Sequence, residues 1–370
     1  MKTQFYVSAA VLSIGLSLAS AQTAVAPPPA AAPAPATTAT PAPARAGGAA
    51  RPAIPLRDPL AAGYVKATEM PDGQVPPMEA DGNFIIGRTH PQAPEMSPVA
   101  AGQPKGKVLK FTLNSTESKF YPGIAPGGPQ PYKRSVSVYV PAQYVPGTVA
   151  PVMITSDGDG RAFNVLDHLI PLKQLPVMIV VAIPPGGPDG RGGERNLEYD
   201  TMSGKYSDFV ETEVLPMAEK VANVKLTKDP DGRAVMGTSS GAAAGMIMAW
   251  FHPERYHRVL TFSGTFTNNQ YPTDPAYPHG AWGLHETLIP NSPVQPLRIY
   301  FECGDHDNFG GATRDWVEAN ENMAKVLTAK GYHYKFVFAR NAGHTDRPTI
   351  SELYPTALQW IWQGYPIEGK

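Results

Sequence analysis

The sequence predicts an α/β protein built on a mostly parallel, doubly wound sheet, with antiparallel strands at its N-terminal side. Three observations carry this. Lys107–Leu113 and Arg134–Val140 alternate polar and apolar residues at period two, as strands with one wet face do. Six later runs are apolar without alternation, save for Thr261, as strands covered on both faces are: Val152–Ile154, Val177–Ile183, Ala234–Met236, Val259–Phe262, Ile299–Phe301 and Phe336–Phe338. Stretches with helical spacing separate these runs, so strand and helix alternate.

Four segments follow in chain order. Met1-Lys2, the apolar stretch Tyr6–Leu18 and Ala19-Ser20-Ala21 have the layout of a cleavable export signal, so residues 1–21 are expected to be removed and the mature chain to be periplasmic or secreted. Residues 22–59 form an Ala/Pro-rich tether. Proline removes backbone donors and fixes φ, which leaves such a stretch extended. Residues 60–105 read as a non-repetitive arm on the main domain, with turn pairs around one apolar patch, Phe84-Ile85-Ile86. Residues 106–370 form that domain. Its helices are predicted over Tyr206–Lys220 (Phe209, Val210, Val214 and Met217 on one side), Ser240–Phe251, Asp315–Lys330 and Thr349–Trp362.

Composition removes several functions. The 370 residues carry 31 Lys+Arg against 32 Asp+Glu, a formal charge of −1, so no basic excess points to nucleic acid. The single cysteine, Cys303, allows neither an intrachain disulfide nor a multi-thiolate metal site, and its apolar setting suggests a buried strand end. After the leader no apolar stretch approaches 18 residues, so no membrane span is expected in the mature chain.

In open parallel sheets, chemistry gathers at the carboxyl ends of the strands. Gly237-Thr238-Ser239-Ser240-Gly241 directly follows one predicted strand and directly precedes an Ala-rich helix, the strand–sharp turn–helix setting of a nucleophile elbow. A serine hydroxyl needs a base, and the base an orienting acid. Asp305 and Asp307 follow the strand Ile299–Phe301, with Asp307 the preferred acid. His344, after a glycine turn, follows Phe336–Phe338. Among the other histidines, His279, His285 and His306 read as surface or cleft residues. An oxyanion would meet the backbone amide of Ser240 and one from the loop Asp157-Gly158-Asp159-Gly160. That loop lacks the further ligands of a calcium site, and the chemistry requires no metal or organic cofactor. Phe163, Tyr199, Phe262, Phe266, Tyr271 and Trp282 could supply an aromatic entrance, and residues 265–295 a lid.

These motifs resemble the putative-esterase group of the α/β-hydrolases. The resemblance rests on the GTSSG elbow, the Asp157-Gly158 turn, Arg195–Asp200 with the helix ending Glu213-Val214-Leu215-Pro216, Cys303-Gly304 followed by Asp307, and Gly343-His344. It covers residues 106–364 and implies the triad Ser239, Asp307 and His344. It further implies an oxyanion amide from Asp159 and a place near the site for Arg195 and Glu198. The group includes siderophore, feruloyl and acetyl-xylan esterases and mycolyltransferases. The resemblance therefore implies a small-molecule or polysaccharide-linked ester as partner. An acyltransferase, or a ligand-binding relative without turnover, would carry the same residues.

Overall fold

The computed structural model describes residues 53–55, 57–125, 128–187 and 192–367. The expected leader and most of the tether lie outside the described residues.

Ten strands form one mixed sheet: β1 (Thr68–Glu69), β2 (Gly82–Ile86), β3 (Lys107–Asn114), β4 (Lys133–Val140), β5 (Val152–Thr155), β6 (Ile179–Ala182), β7 (Arg233–Thr238), β8 (Arg258–Phe262), β9 (Arg298–His306) and β10 (His333–Gly343). Their order across the sheet is β1-β2-β10-β9-β8-β7-β5-β6-β4-β3. Neighbours run parallel except at one side, where β4 opposes β6 and β3 opposes β4. The helices are α1 (Ala162–Leu169), α2 (Glu194–Tyr199), α3 (Lys205–Phe209), α4 (Leu215–Ala222), α5 (Ser240–Phe251), α6 (Trp316–Lys330) and α7 (Arg347–Ile361). The sheet is that of an α/β-hydrolase.

The apolar runs lack alternation because both faces are covered. Ile154, Val235, Val259, Ile299, Phe301 and Phe336 join Phe209, Met246 and Met323 in one core. Met153, Met236, Leu260, Tyr300 and Val337 join Leu166, Leu353 and Trp360 in the other. Helices α3 to α6 therefore lie over one face, and α1 and α7 over the opposite one.

Two local expectations fail. The single helix over Tyr206–Lys220 is divided by a π-turn over Val210–Val214, next to Pro216, which has no amide proton for the helical ladder. The wider turn shifts the face that follows, and Met217 is exposed rather than packed. The arm is also more regular than expected. Its apolar patch forms β2, which pairs in parallel with Lys335–Ala339 of β10. Phe84, Ile85 and Ile86 are buried there, and β1 extends the sheet once more. Three consecutive apolar residues suit a strand that covers the edge of a sheet core.

Candidate active site

The strand ends of β7, β9 and β10 bring Ser239, Asp307 and His344 together. The Ser239 hydroxyl lies 2.8 Å from His344 Nε2, and His344 Nδ1 lies 2.6 Å from Asp307 Oδ1. With Nδ1 protonated, the imidazole donates to the carboxylate and accepts from the serine. The His344 side chain keeps access to solvent, whereas that of Asp307 has none.

The elbow's conformation separates this serine from an ordinary helix cap. Ser239 occupies the N-cap position of α5 yet makes no side-chain cap bond, and its backbone sits at φ 56°, ψ −130°. A capping serine has extended backbone and spends its oxygen on the amides of the first turn. Here the oxygen is turned toward His344, in a backbone region costly for a non-glycine residue. The flanking glycines make the turn possible. A Cβ at Gly237 would stand 2.1 Å from the Gly241 carbonyl oxygen, and one at Gly241 would stand 2.8 Å from both Asp157 Oδ2 and Ser156 Cβ.

The acid and base loops are held by their own neighbours. Asp307 also accepts from the Asn308 amide (2.6 Å) and lies 3.5 Å from the buried thiol of Cys303. Burial pushes that thiol well above its usual range. Asp305, the other candidate acid, instead accepts from the amides of Asn341 (3.0 Å) and Ala342 (3.1 Å) and so fixes the approach to His344. The Thr345 amide donates to Ser263 Oγ (2.8 Å), and Asp346 caps α7 through the Thr349 amide (3.0 Å).

The amide of Ser240 begins α5 and has no carbonyl one turn earlier to receive it. The two loop amides expected to serve an oxyanion, those of Gly158 and Asp159, both have backbone partners. The Gly158 amide donates to the Ile183 carbonyl (3.0 Å) and the Asp159 amide to that of Ser156 (3.1 Å), because the loop closes as a tight helical turn. Both amides are spent internally. The Asp157 amide donates to Tyr199 Oη (3.0 Å). This leaves the Gly160 amide as the loop donor without a hydrogen-bond partner among the described residues.

Arg195 and Glu198 take separate places. Arg195 donates from Nε (2.7 Å) and Nη2 (3.0 Å) to the Asp157 carboxylate and stacks over Tyr199, beside the start of α5. Glu198, expected near the site, is fully buried. It pairs with Arg134 and accepts from the Gly186 amide (3.1 Å) and Tyr132 Oη (3.0 Å). A carboxylate spaced three residues from an arginine is ambiguous in sequence, and here Arg134 on β4 claims it. Asp200, at the end of α2, accepts from the side-chain amides of Asn196 (2.7 Å) and Asn269 (3.0 Å). Burial still raises its pKa to about 6.

The expected aromatic entrance is largely core. Tyr199, Phe262 and Phe266 are fully buried. His285 is buried too, beside Trp282, and burial lowers its pKa to about 4, whereas His279 and His306 are exposed. Within residues 265–295 short helical turns run from Gly280 to Asn291, the rest is irregular, and Phe266, Leu284 and Ile289 tie the segment to the core.

Sequence reasoning missed two residues at the site. Thr265 Oγ1 lies 3.5 Å from Ser239 Oγ and accepts from Trp316 Nε1 (3.1 Å), and the Trp316 indole meets the His344 ring edge-on with centroids 5.9 Å apart. Thr265 follows the carboxyl end of β8, where the rule that found the other residues would also have found it. Among the described residues no group of three or more His, Cys, Asp or Glu could hold a metal ion, and no helix is long and apolar enough to cross a membrane.

The family model described as "Putative esterase" matches residues 131–355, more than half of the chain and all three strand-end residues. The chain belongs to the putative-esterase family. It is 31% identical over 135 residues to the iron(III) enterobactin esterase of Dickeya dadantii, a match covering 33% of this chain and 28% of that protein. The enterochelin esterase structure from Shigella flexneri matches 74% of this chain and 61% of its own at 21% identity, with a TM-score of 0.51. A ferulic acid esterase structure from Anaeromyces mucronatus matches 75% of this chain and 98% of its own at 16% identity, with a TM-score of 0.52. The chain thus spans little more than a quarter of the Dickeya protein and about three fifths of the Shigella one, and the structural likenesses show the fold.

Proposed function

We propose that the protein is an exported serine esterase that works through an acyl-enzyme. The observation that carries the reading is the unbroken line Ser239–His344–Asp307 at an elbow whose serine is withheld from capping its helix. In this reading Ser239 Oγ attacks an ester carbonyl and passes its proton to His344 Nε2, and Asp307 holds the imidazolium that forms. The oxyanion meets the Ser240 amide. His344 then protonates the leaving alcohol, and water enters by the same route to release the acid.

The substrate proposed is a feruloyl or acetyl ester of a polysaccharide, or a siderophore lactone. The names of the relatives and the leader-like segment Met1–Ala21 support it. Arg195, locked against Asp157 beside the helix start, is the proposed substrate contact at the rim. A panel of methyl ferulate, acetylated xylan and a catecholate trilactone tests this. Hydrolysis of at least one, abolished in Ser239→Ala, is the expected outcome. A protein inert toward all three and toward p-nitrophenyl acetate would contradict it.

A further inference from the structure

We propose that the Thr265 hydroxyl is a hydrogen-bond donor to the nucleophilic oxygen itself, aimed by Trp316. The inference rests on the acyl-enzyme reading above and adds a residue to that chemistry.

A threonine hydroxyl has one proton and two lone pairs. At Thr265 one lone pair receives the Trp316 indole N–H at 3.1 Å, so the hydroxyl's own proton is free for another acceptor. The side chain is fully buried, which leaves it no solvent to turn to. Its contact on that side is Ser239 Oγ at 3.5 Å. In the resting state the serine proton points at His344 Nε2, so the serine's lone pairs are open to Thr265. The backbone fixes the pair as well, since the Thr265 amide donates to the Ser239 carbonyl at 3.2 Å.

A separation of 3.5 Å is long for a bond between hydroxyls, and the contact is correspondingly weak before reaction. It strengthens when Oγ gathers negative charge. That happens as the serine proton passes to His344 Nε2 and the Oγ–carbonyl bond forms. It happens again in acyl-enzyme breakdown, when the carbon–Oγ bond breaks, the electron pair returns to Oγ and His344 Nε2 returns the proton. Thr265 keeps its own proton throughout. A donor that tightens only at these moments favours the transition state over the ground state, which raises rate rather than affinity.

Trp316 is a positioning residue. Its amide donates to the Asn308 carbonyl (3.1 Å), its carbonyl receives Asn320 Nδ2 (2.8 Å), and its ring rests on His344. One indole thus sets the direction of the Thr265 hydroxyl and backs the base.

The test compares Thr265→Val, Thr265→Ser, Trp316→Phe and the double variant T265V/W316F. The readouts are kcat/KM for p-nitrophenyl acetate across pH and the rate of fluorophosphonate labelling. Thr265→Val should lower both by about tenfold or more. The acid limb of the pH profile, set by the base, should stay in place. Thr265→Ser should recover most of the loss. Trp316→Phe should lose less than Thr265→Val and add nothing in the double variant. Unchanged rates in Thr265→Val would overturn the proposal, as would a Thr265→Ser variant that loses as much. Should Thr265→Val not fold, a Trp316→Phe variant at wild-type rate would overturn it instead. Ser239→Ala keeps the two claims apart: turnover surviving that change sinks the acyl-enzyme reading whatever Thr265 does.

Discussion

Asp305 and Asp307 stand two residues apart on one strand-end turn, and geometry gives them different work. Asp307 faces the imidazole from a fully buried position, while Asp305 ties down the backbone that carries His344. Asp307→Asn should therefore lower kcat by about 10⁴-fold, as loss of the orienting acid does elsewhere. Asp305→Asn keeps an acceptor for only one of the two amides, which go to different carboxylate oxygens, but leaves the imidazole its own acid, and should cost about tenfold. Steady-state kinetics of both variants on one substrate decide, and equal losses would count against the assignment. Glu302 shows another use of a buried carboxyl. It lies beneath Asp307 with no hydrogen-bond partner for either oxygen among the described residues, and burial, followed by repulsion from Asp307, holds its pKa far above the carboxylate range.

Among elements, the arm does more than cover a surface. β2 closes the edge of β10, and further contacts run from the arm to the loops of the site. Glu69 of the arm pairs with Arg340, and Arg57, just ahead of the arm at the end of the tether, pairs with Asp315, the cap of α6 beside Trp316. His90 reaches the Arg340 carbonyl (2.7 Å) near the end of β10 and Glu352 (2.8 Å) within α7. Ile85, with no exposure, is the centre of this seam. Ile85→Ala should lower the free energy of unfolding by about 2–5 kcal/mol, measured by urea denaturation. A change under about 0.5 kcal/mol would show that β2 is dispensable. The strands β5 to β10 were legible because burial on both faces writes an uninterrupted apolar run. β2 was not, since five residues between turn signals do not reveal which edge will receive them. The GTSSG elbow was legible because its glycines answer to steric limits within the motif. The fate of Glu198 was hidden because Arg134 lies 64 residues earlier, and the spent amides of Gly158 and Asp159 depend on a turn that side-chain identity does not announce.

At the scale of the whole molecule, buried carboxyls set the dependence of stability on pH. Burial raises Asp200 to about 6 and Glu321 to about 7. A carboxyl whose folded pKa lies above its unfolded value stabilises fully below the unfolded pKa, near 4, and the contribution is lost as pH rises through the folded one. Stability should thus decline between about pH 4 and pH 8. Asp200 alone, raised by about two units, accounts for about 3 kcal/mol of that decline. Asp200→Asn should flatten the slope of the urea midpoint across this range, and an unchanged slope would contradict the role given to its burial.

The central claim is that one strained serine, activated through His344, carries the chemistry. The most direct measurement is mass spectrometry of the protein after reaction with a fluorophosphonate, with His344→Ala and Ser239→Ala alongside. The account predicts a single adduct on the peptide containing Ser239, nearly absent in His344→Ala and gone in Ser239→Ala. An adduct on another residue, or ester hydrolysis that survives Ser239→Ala, would contradict it.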